Sequence, residues 1–232
     1  MQTIDKAKAT GLARFTSLVY LYTGLGVAFW TIAANAMARN TAISNSVLGM
    51  MSAHPLIFSI VVIAVSFGFI SLANVAATKS YLMTFISYVL FLTSFAVFGI
   101  PIFYIYSAKS IIQALTVTSV IFVVSAGIGF FTKKDLTTWS RTLMIGLISI
   151  IAVSVINLLI FKSSLLMLGI NIAIIVVFLF YIAFDSQNIK RIYAQAQGSE
   201  NLGAIALIAS INLVLDFINV LLSILQIFGD NN

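Results

Sequence analysis

The chain reads as an all-α, polytopic membrane protein: a bundle of seven transmembrane helices forming one integral domain over residues 1–232. Three observations predict this. Of 232 residues, 61% are apolar and only 8% are charged, where soluble chains run about 45–50% and about 25%. Mean hydropathy is +1.13. The apolar residues also gather into seven stretches, each near the ~20 residues that cross a bilayer as a helix. So few charges cannot make a water-facing surface, and lipid must solvate most of the chain.

The first stretch, 15–37, follows the basic residues Lys6, Lys8 and Arg14. Ala36-Met37-Ala38 resembles a signal-peptide cleavage site, but the apolar run exceeds the 7–15 residues of a signal core, so it is a first span. The second, 55–77, opens on Pro55, which a first helical turn tolerates. The third, 81–105, and the fourth, 111–131, divide near Ile100-Pro101, with Tyr104, Tyr106 and Lys109 after it. The fifth, 142–161, follows the polar step around Lys133-Lys134-Asp135, and Trp139 suits headgroup depth. The sixth, 165–186, gives way to Lys190-Arg191, and the seventh is 203–228. No repeat, low-complexity segment or Pro-rich linker interrupts the series.

Orientation follows from the cations. With the N-terminus inside, the inner segments carry Lys6, Lys8, Arg14, Lys79, Lys133, Lys134, Arg141, Lys190 and Arg191, and the outer ones only Arg39, Lys109 and Lys162. This is the positive-inside bias, and it places the C-terminus outside. The net charge of +6 is thereby explained by topology and anionic lipid, without a nucleic-acid partner.

Composition also limits the chemistry. Cysteine is absent and His54 is the single histidine, which excludes disulfides, thiol catalysis and a His-rich zinc site. His54 sits at an outer loop edge, HExxH is missing, and 203–228 holds no lysine for a Schiff base. An enzyme is not expected, nor a bound cofactor.

Six acids remain, of which Asp5, Asp135 and Glu200 lie in inner segments and Asp230 in the tail. Asp185 and Asp216 fall within apolar stretches. An Asp at a helix centre costs about 2.5–3.5 kcal/mol on insertion scales, so such residues usually face a bundle interior and mark a pathway or proton site. Asn212, Asp216, Asn219, Ser223 and Gln226 recur at spacings of four and three, one face of the seventh helix. That stripe is expected to point inward. Tyr181, Asp185 and Asn188 share a face of the sixth. At 1.5 Å per residue Asp185 lies ~8 Å in from the inner end at Lys190-Arg191 and Asp216 ~16–20 Å from the inner end of its own helix, a mismatch of a turn or two.

If the two carboxylates meet, they cannot both ionise cheaply and would titrate as a unit around one shared proton. Losing that proton would leave two repelling charges and a site for a cation. Calcium takes six to eight oxygens in a tight site, so two aspartates with Asn212, Asn219 and water would bind weakly, as conduction requires. The plainer alternatives stay open. Either acid could be structural, and the amides could be interhelical glue.

Several motifs carry a family resemblance. Phe184-Asp185-Ser186-Gln187-Asn188-Ile189 resembles the F/Y-D-T/S-Q-x-I ending of the sixth helix in the Bax inhibitor-1 (transmembrane Bax inhibitor motif) family. Leu215-Asp216-Phe217-Ile218-Asn219, with Leu221-Leu222 and Leu225-Gln226-Ile227-Phe228-Gly229, is similar to the ending of its seventh. Phe131-Thr132-Lys133-Lys134-Asp135-Leu136 resembles the step between helices four and five, and Tyr22-Thr23-Gly24-Leu25 the opening of helix one. The absence of a soluble extension is similar to bacterial members.

The resemblance implies a seven-helix bundle with its last helix near the centre, in the bacterial inner membrane. It also implies a pH-sensitive calcium leak gated by an aspartate pair matching Asp185 and Asp216. Calcium is then the permeant ion, and Asn212, Asn219, Ser223, Tyr181 and Asn188 are candidates to line its path. The expected partners are the lipid bilayer, calcium and protons. Some relatives latch an aspartate with an arginine in helix two, but residues 55–77 hold no ionisable side chain, leaving Ser66, Ser71 and Asn74 as polar candidates. The rival function is a membrane interaction protein that modulates a membrane-bound protease or another partner without transport. A proton-coupled transporter is the third reading.

Overall fold

The computed structural model describes residues 2–230, with side chains from Thr10 onward, so the side chains of Asp5, Lys6 and Lys8 lie outside the described set. Among the described residues the chain is helical apart from short connections, with helices α1 (Gln2–Arg39), α2 (Thr41–Ala53), α3 (Pro55–Ala77), α4 (Tyr81–Phe95), α5 (Ile102–Ile105), α6 (Ala108–Phe131), α7 (Ser140–Ile156), α8 (Ser164–Ala196) and α9 (Leu202–Phe228). Among the described residues seven segments are long and apolar enough to cross a membrane: Thr10–Arg39, Pro55–Ala77, Tyr81–Ile105, Ala108–Phe131, Leu136–Phe161, Ser164–Ala196 and Leu202–Phe228. α9 is the most enclosed of them. Two-thirds (67%) of its apolar window is buried, against at most 39% elsewhere. The chain is an all-α, seven-span membrane protein whose helices group into two compact units.

The first unit comprises Met1–Ile105 and Lys190–Val214. The segment after α1 folds as α2 because Asn40 Oδ1 accepts hydrogen bonds from the Ala42 and Ile43 N–H groups at 3.1 and 3.2 Å, satisfying donors that a new helix leaves open. At 13 residues α2 is too short to span. α3 starts with Pro55 in its first turn and packs along α4, where Ser66 and Ser94 hydroxyls meet at 2.9 Å. The third span is broken. α4 tightens into a 3-10 turn at Ala96–Gly99 before Pro101, whose missing N–H ends regular helix.

Gly99 is required at that turn, since a Cβ there would stand 2.7 Å from Ala34 and 2.9 Å from the buried Trp30 ring. Beyond it, the Tyr104 hydroxyl lies 2.7 Å from the Ala38 carbonyl and 2.8 Å from Ser44 Oγ, fastening α5 to α1 and α2. Between α8 and α9 the chain turns at Gly198, with φ +89°, and Asn201 donates to the Thr78 carbonyl at 3.2 Å.

The second unit comprises Tyr106–Ile189 and Leu215–Asn232. α6 presents Ser125, Ala126 and Gly129 as buried small residues, the composition that lets helices in lipid approach closely. The approach is to α8: a Cβ on Gly129 would run into the Ala183 backbone carbonyl. The fifth span starts as a 3-10 turn at Leu136–Trp139 and ends as a π turn at Asn157–Phe161. There Lys162 turns left-handed at φ 49° and the Asn157 amide brackets the Ser163 backbone at 3.0 and 3.2 Å. On α9, Phe217 packs edge-on to Phe122 of α6 at 5.7 Å. The end of α9 is tied down as well. Asp230 accepts from Ser107 N–H at 3.1 Å and donates to Ser110 Oγ at 3.0 Å, while the Tyr106 ring lies over Gly229.

Candidate functional site

Both intramembrane acids belong to the second unit. They are 8% (Asp185) and 4% (Asp216) exposed. α8 does not stop where its apolar run stops but continues through Lys190-Arg191 to Ala196, which puts Asp185 about 16 Å from that end and Asp216 about 21 Å along α9. The mismatch in depth read from Lys190-Arg191 is therefore reduced to about one helical turn. Helix formation outlasts hydrophobicity here because a helix can run into water, where an apolar span cannot.

The two carboxyls come together. The Asp216 side chain is within hydrogen-bonding reach of Asp185, and Tyr181, one turn earlier on α8, lies near both carboxyls. Asp216 Oδ2 is buried and receives no hydrogen bond from any donor among the described residues. A buried carboxylate oxygen without a donor is costly, and a proton held between the two acids removes both the missing bond and the like-charge repulsion.

The remaining site candidates are distributed differently. Asn188 is half-buried on α8. Ser223 is buried, at 2% exposure. Asn219 is half-buried and donates to the Leu215 carbonyl of its own helix at 2.8 Å. Asn212, in the first unit, is exposed, as is Gln226. The stripe expected to point inward is thus divided. From Ala204 to Gln226 the positions left partly or fully exposed are Ile205, Ile208, Asn212, Leu215, Asn219, Leu222 and Gln226, at alternating spacings of three and four. α9 is covered almost all round, its apolar faces are what neighbours cover, and the amides fall on the open seam. Asp216 and Ser223 sit beside that seam on the covered side.

The polar candidates of α3 have partners of their own. Ser66 bonds Ser94, while Ser71 and Asn74 donate to the Phe67 and Ile70 carbonyls.

One residue was quoted in a motif but given no role by the sequence. Gln187 accepts from the Leu136 N–H at 2.8 Å and donates to the Lys134 carbonyl at 2.7 Å. Its amide clamps the loop between α6 and α7 onto α8 two residues past Asp185. Asp135 caps the following 3-10 turn through the Thr137 N–H at 2.9 Å. Two of the motifs noted in the sequence are therefore in direct contact, and their co-occurrence was the only signal available.

Comparison with known proteins identifies a family. The profile of the family described as "Inhibitor of apoptosis-promoting Bax1" matches residues 12–232. Inner membrane protein YbhL of Escherichia coli (strain K12) is 34% identical over 131 residues, 56% of this chain and 56% of that protein. The match thus spans little more than half of its length. An uncharacterized membrane protein of Streptococcus pyogenes serotype M1 is 28% identical over 226 residues, 96% of this chain and 95% of the other. An uncharacterized protein of Rickettsia prowazekii (strain Madrid E) is 35% identical over 126 residues, 54% of this chain and 53% of that one.

Proposed function

This chain belongs to the Bax inhibitor-1 family, and from that premise we propose that it is a passive, pH-sensitive calcium leak whose gate is the Asp185–Asp216 pair. The observation that carries the reading is the buried contact of two carboxyls, one with an oxygen that no donor satisfies. With one proton between them the acids hold α8 to α9. Without it they repel, and the doubly charged pair attracts a cation. A tight calcium site takes six to eight oxygens, so two carboxyls with a few polar neighbours suit a transient contact with the ion. Tyr181, Asn188, Asn219 and Ser223, all in the second unit, supply the polar positions for its path. Calcium is the cargo, and neither a catalytic step nor a cofactor is proposed.

The location proposed is the inner membrane of a bacterium, as the printed name of the E. coli relative states for that protein. The orientation proposed with it, N-terminus in the cytoplasm and C-terminus outside, is supported by the charge bias.

The test is calcium entry into liposomes holding purified protein at about pH 6 and about pH 8, a range chosen because a coupled buried acid pair titrates away from its ordinary values. Downhill flux that rises with pH, and loses that dependence in Asp185→Asn and Asp216→Asn, supports the gate. Flux no greater than in empty liposomes, from protein shown to be folded, overturns it. Concentrative uptake driven by a proton gradient would instead identify a transporter.

A second reading, a bundle that modulates a membrane protease or another partner, is favoured by one observation. Asn212 and Gln226 are exposed on α9, and amides facing lipid are groups a partner helix can take up. Under that reading partner capture survives Asp216→Asn, whereas a change of flux belongs to the leak.

A further inference from the structure

We propose that the basic step between α6 and α7 is a binding site for one anionic phospholipid, with its headgroup on Lys133, Lys134 and Arg141 and the start of an acyl chain in the crevice behind them. The crevice, about 110 Å³, is lined by Ile128, Trp139, Leu143, Phe180, Ala183 and Phe184, all within the second unit. It lies where α6 ends at its C-cap, Thr132, and the next span begins at Leu136, which is the depth where acyl chains meet headgroups. Phe131 (80% exposed) and Trp139 (46% exposed) flank it, and the indole packs on Phe180 at 5.2 Å. An apolar slot at that depth is continuous with the hydrocarbon, which a soluble anion or peptide would not fill.

The charges complement a phosphate. Lys133, Lys134 and Arg141 are exposed, and none forms an ion pair among the described residues. The one acid between them, Asp135, points a carboxylate oxygen at the Thr137 N–H. The backbone that carries the lysines is held from two sides. Gln187 bonds the Lys134 carbonyl and the Leu136 N–H, and Thr132 Oγ1 accepts from the Lys134 N–H at 3.3 Å. A loop fixed in this way presents its cations without the ordering cost a flexible basic tail would bear. Surface cations favour anionic lipid in general; here the crevice and the pinned loop make a place for one molecule. The site stands whether or not the bundle conducts.

Trp139 is itself the reporter. The full chain is reconstituted in phosphatidylcholine vesicles holding a minor fraction of lipid brominated near the top of the chain, either phosphatidylglycerol or phosphatidylcholine. The Trp30 signal is subtracted using Trp139→Phe. The expected result is roughly hundredfold enrichment of the anionic over the zwitterionic quencher at Trp139, from the summed attraction of three surface cations. The enrichment is lost when Lys133, Lys134 and Arg141 are all changed to Gln, and kept in Lys133→Arg with Lys134→Arg. A second reporter, Phe161→Trp in the Trp139→Phe background, sits at the far end of the same span and shows no preference. Equal quenching by the two lipids at Trp139 overturns the proposal, as does a preference that survives the triple Gln change. The same preference at position 161 also overturns it, because general surface attraction then suffices.

Discussion

Gly129 of α6 lies directly against the Ala183 carbonyl of α8, two residues before Asp185. No side chain fits there, so Gly129→Ala must separate the helices that frame the acidic pair. The expected loss is about 1–3 kcal/mol, the usual range for overpacking a tight contact. It is read as a lower thermal midpoint in detergent. Gly127 is the control, two residues earlier on the same helix with open space around it. Gly127→Ala should be neutral or stabilise by up to about 1 kcal/mol through helix propensity.

Gln187 joins the loop to α8 by two hydrogen bonds, and Gln187→Ala removes both. Hydrogen exchange at the Leu136 amide should then quicken about tenfold, the equivalent of one ordinary hydrogen bond. Gln187→Glu keeps an acceptor for Leu136 but sets a carboxylate against the Lys134 carbonyl, so it should rescue little. Unchanged exchange in both variants would mean that the loop is held by something else.

How much of this was legible in the sequence depends on the kind of information each feature uses. The spans were legible because a ~20-residue apolar run has few other uses. α2 was not, since its signal is a single cap residue, Asn40, before 13 residues of mixed polarity. The extension of α8 past residue 186 was hidden because charge at Lys190-Arg191 ends an apolar run without ending a helix. Periodicity placed Asp216 and Asn212 on one side of α9 but could not say that neighbours cover the first and leave the second open. The meeting of Asp185 with Asp216 needed relative depth, which turned on that hidden helix end. The Gln187 clamp spans more than fifty residues of chain and has no period to reveal it.

In the first unit, the Tyr88 hydroxyl donates to the Tyr22 carbonyl at 3.0 Å, and a Cβ on Gly26 would collide with that same hydroxyl. Gly26→Ala alone should cost about 1–3 kcal/mol, and Tyr88→Phe alone about 0.5–1.5 kcal/mol for the lost bond. Together they should cost less than their sum, because removing the hydroxyl makes room for the methyl. Thermal unfolding of the four proteins of this cycle measures the coupling. Strict additivity would contradict the packing described.

Tyr106 lies between two spans, over Gly229, and burial pushes its phenol above the ordinary value of 10.0. A folded-state value above the unfolded one gives stability that is complete below the unfolded value and lost as pH rises through the folded one. Wild type should therefore lose thermal stability above about pH 10, and Tyr106→Phe should lose less over that window. Parallel alkaline limbs for the two proteins would place the phenol in water.

The central claim is that Asp185 and Asp216 hold one proton between them. Infrared difference spectroscopy of the reconstituted protein, titrated from about pH 6 to about pH 8, reads it directly through the carbonyl stretch of a protonated carboxylic acid. Only six acidic side chains compete for assignment. The account predicts one such band in wild type that fades as pH rises and is lost or displaced in both Asp185→Asn and Asp216→Asn. No protonated carboxyl at any pH where the protein is folded, or a band indifferent to both substitutions, would contradict it.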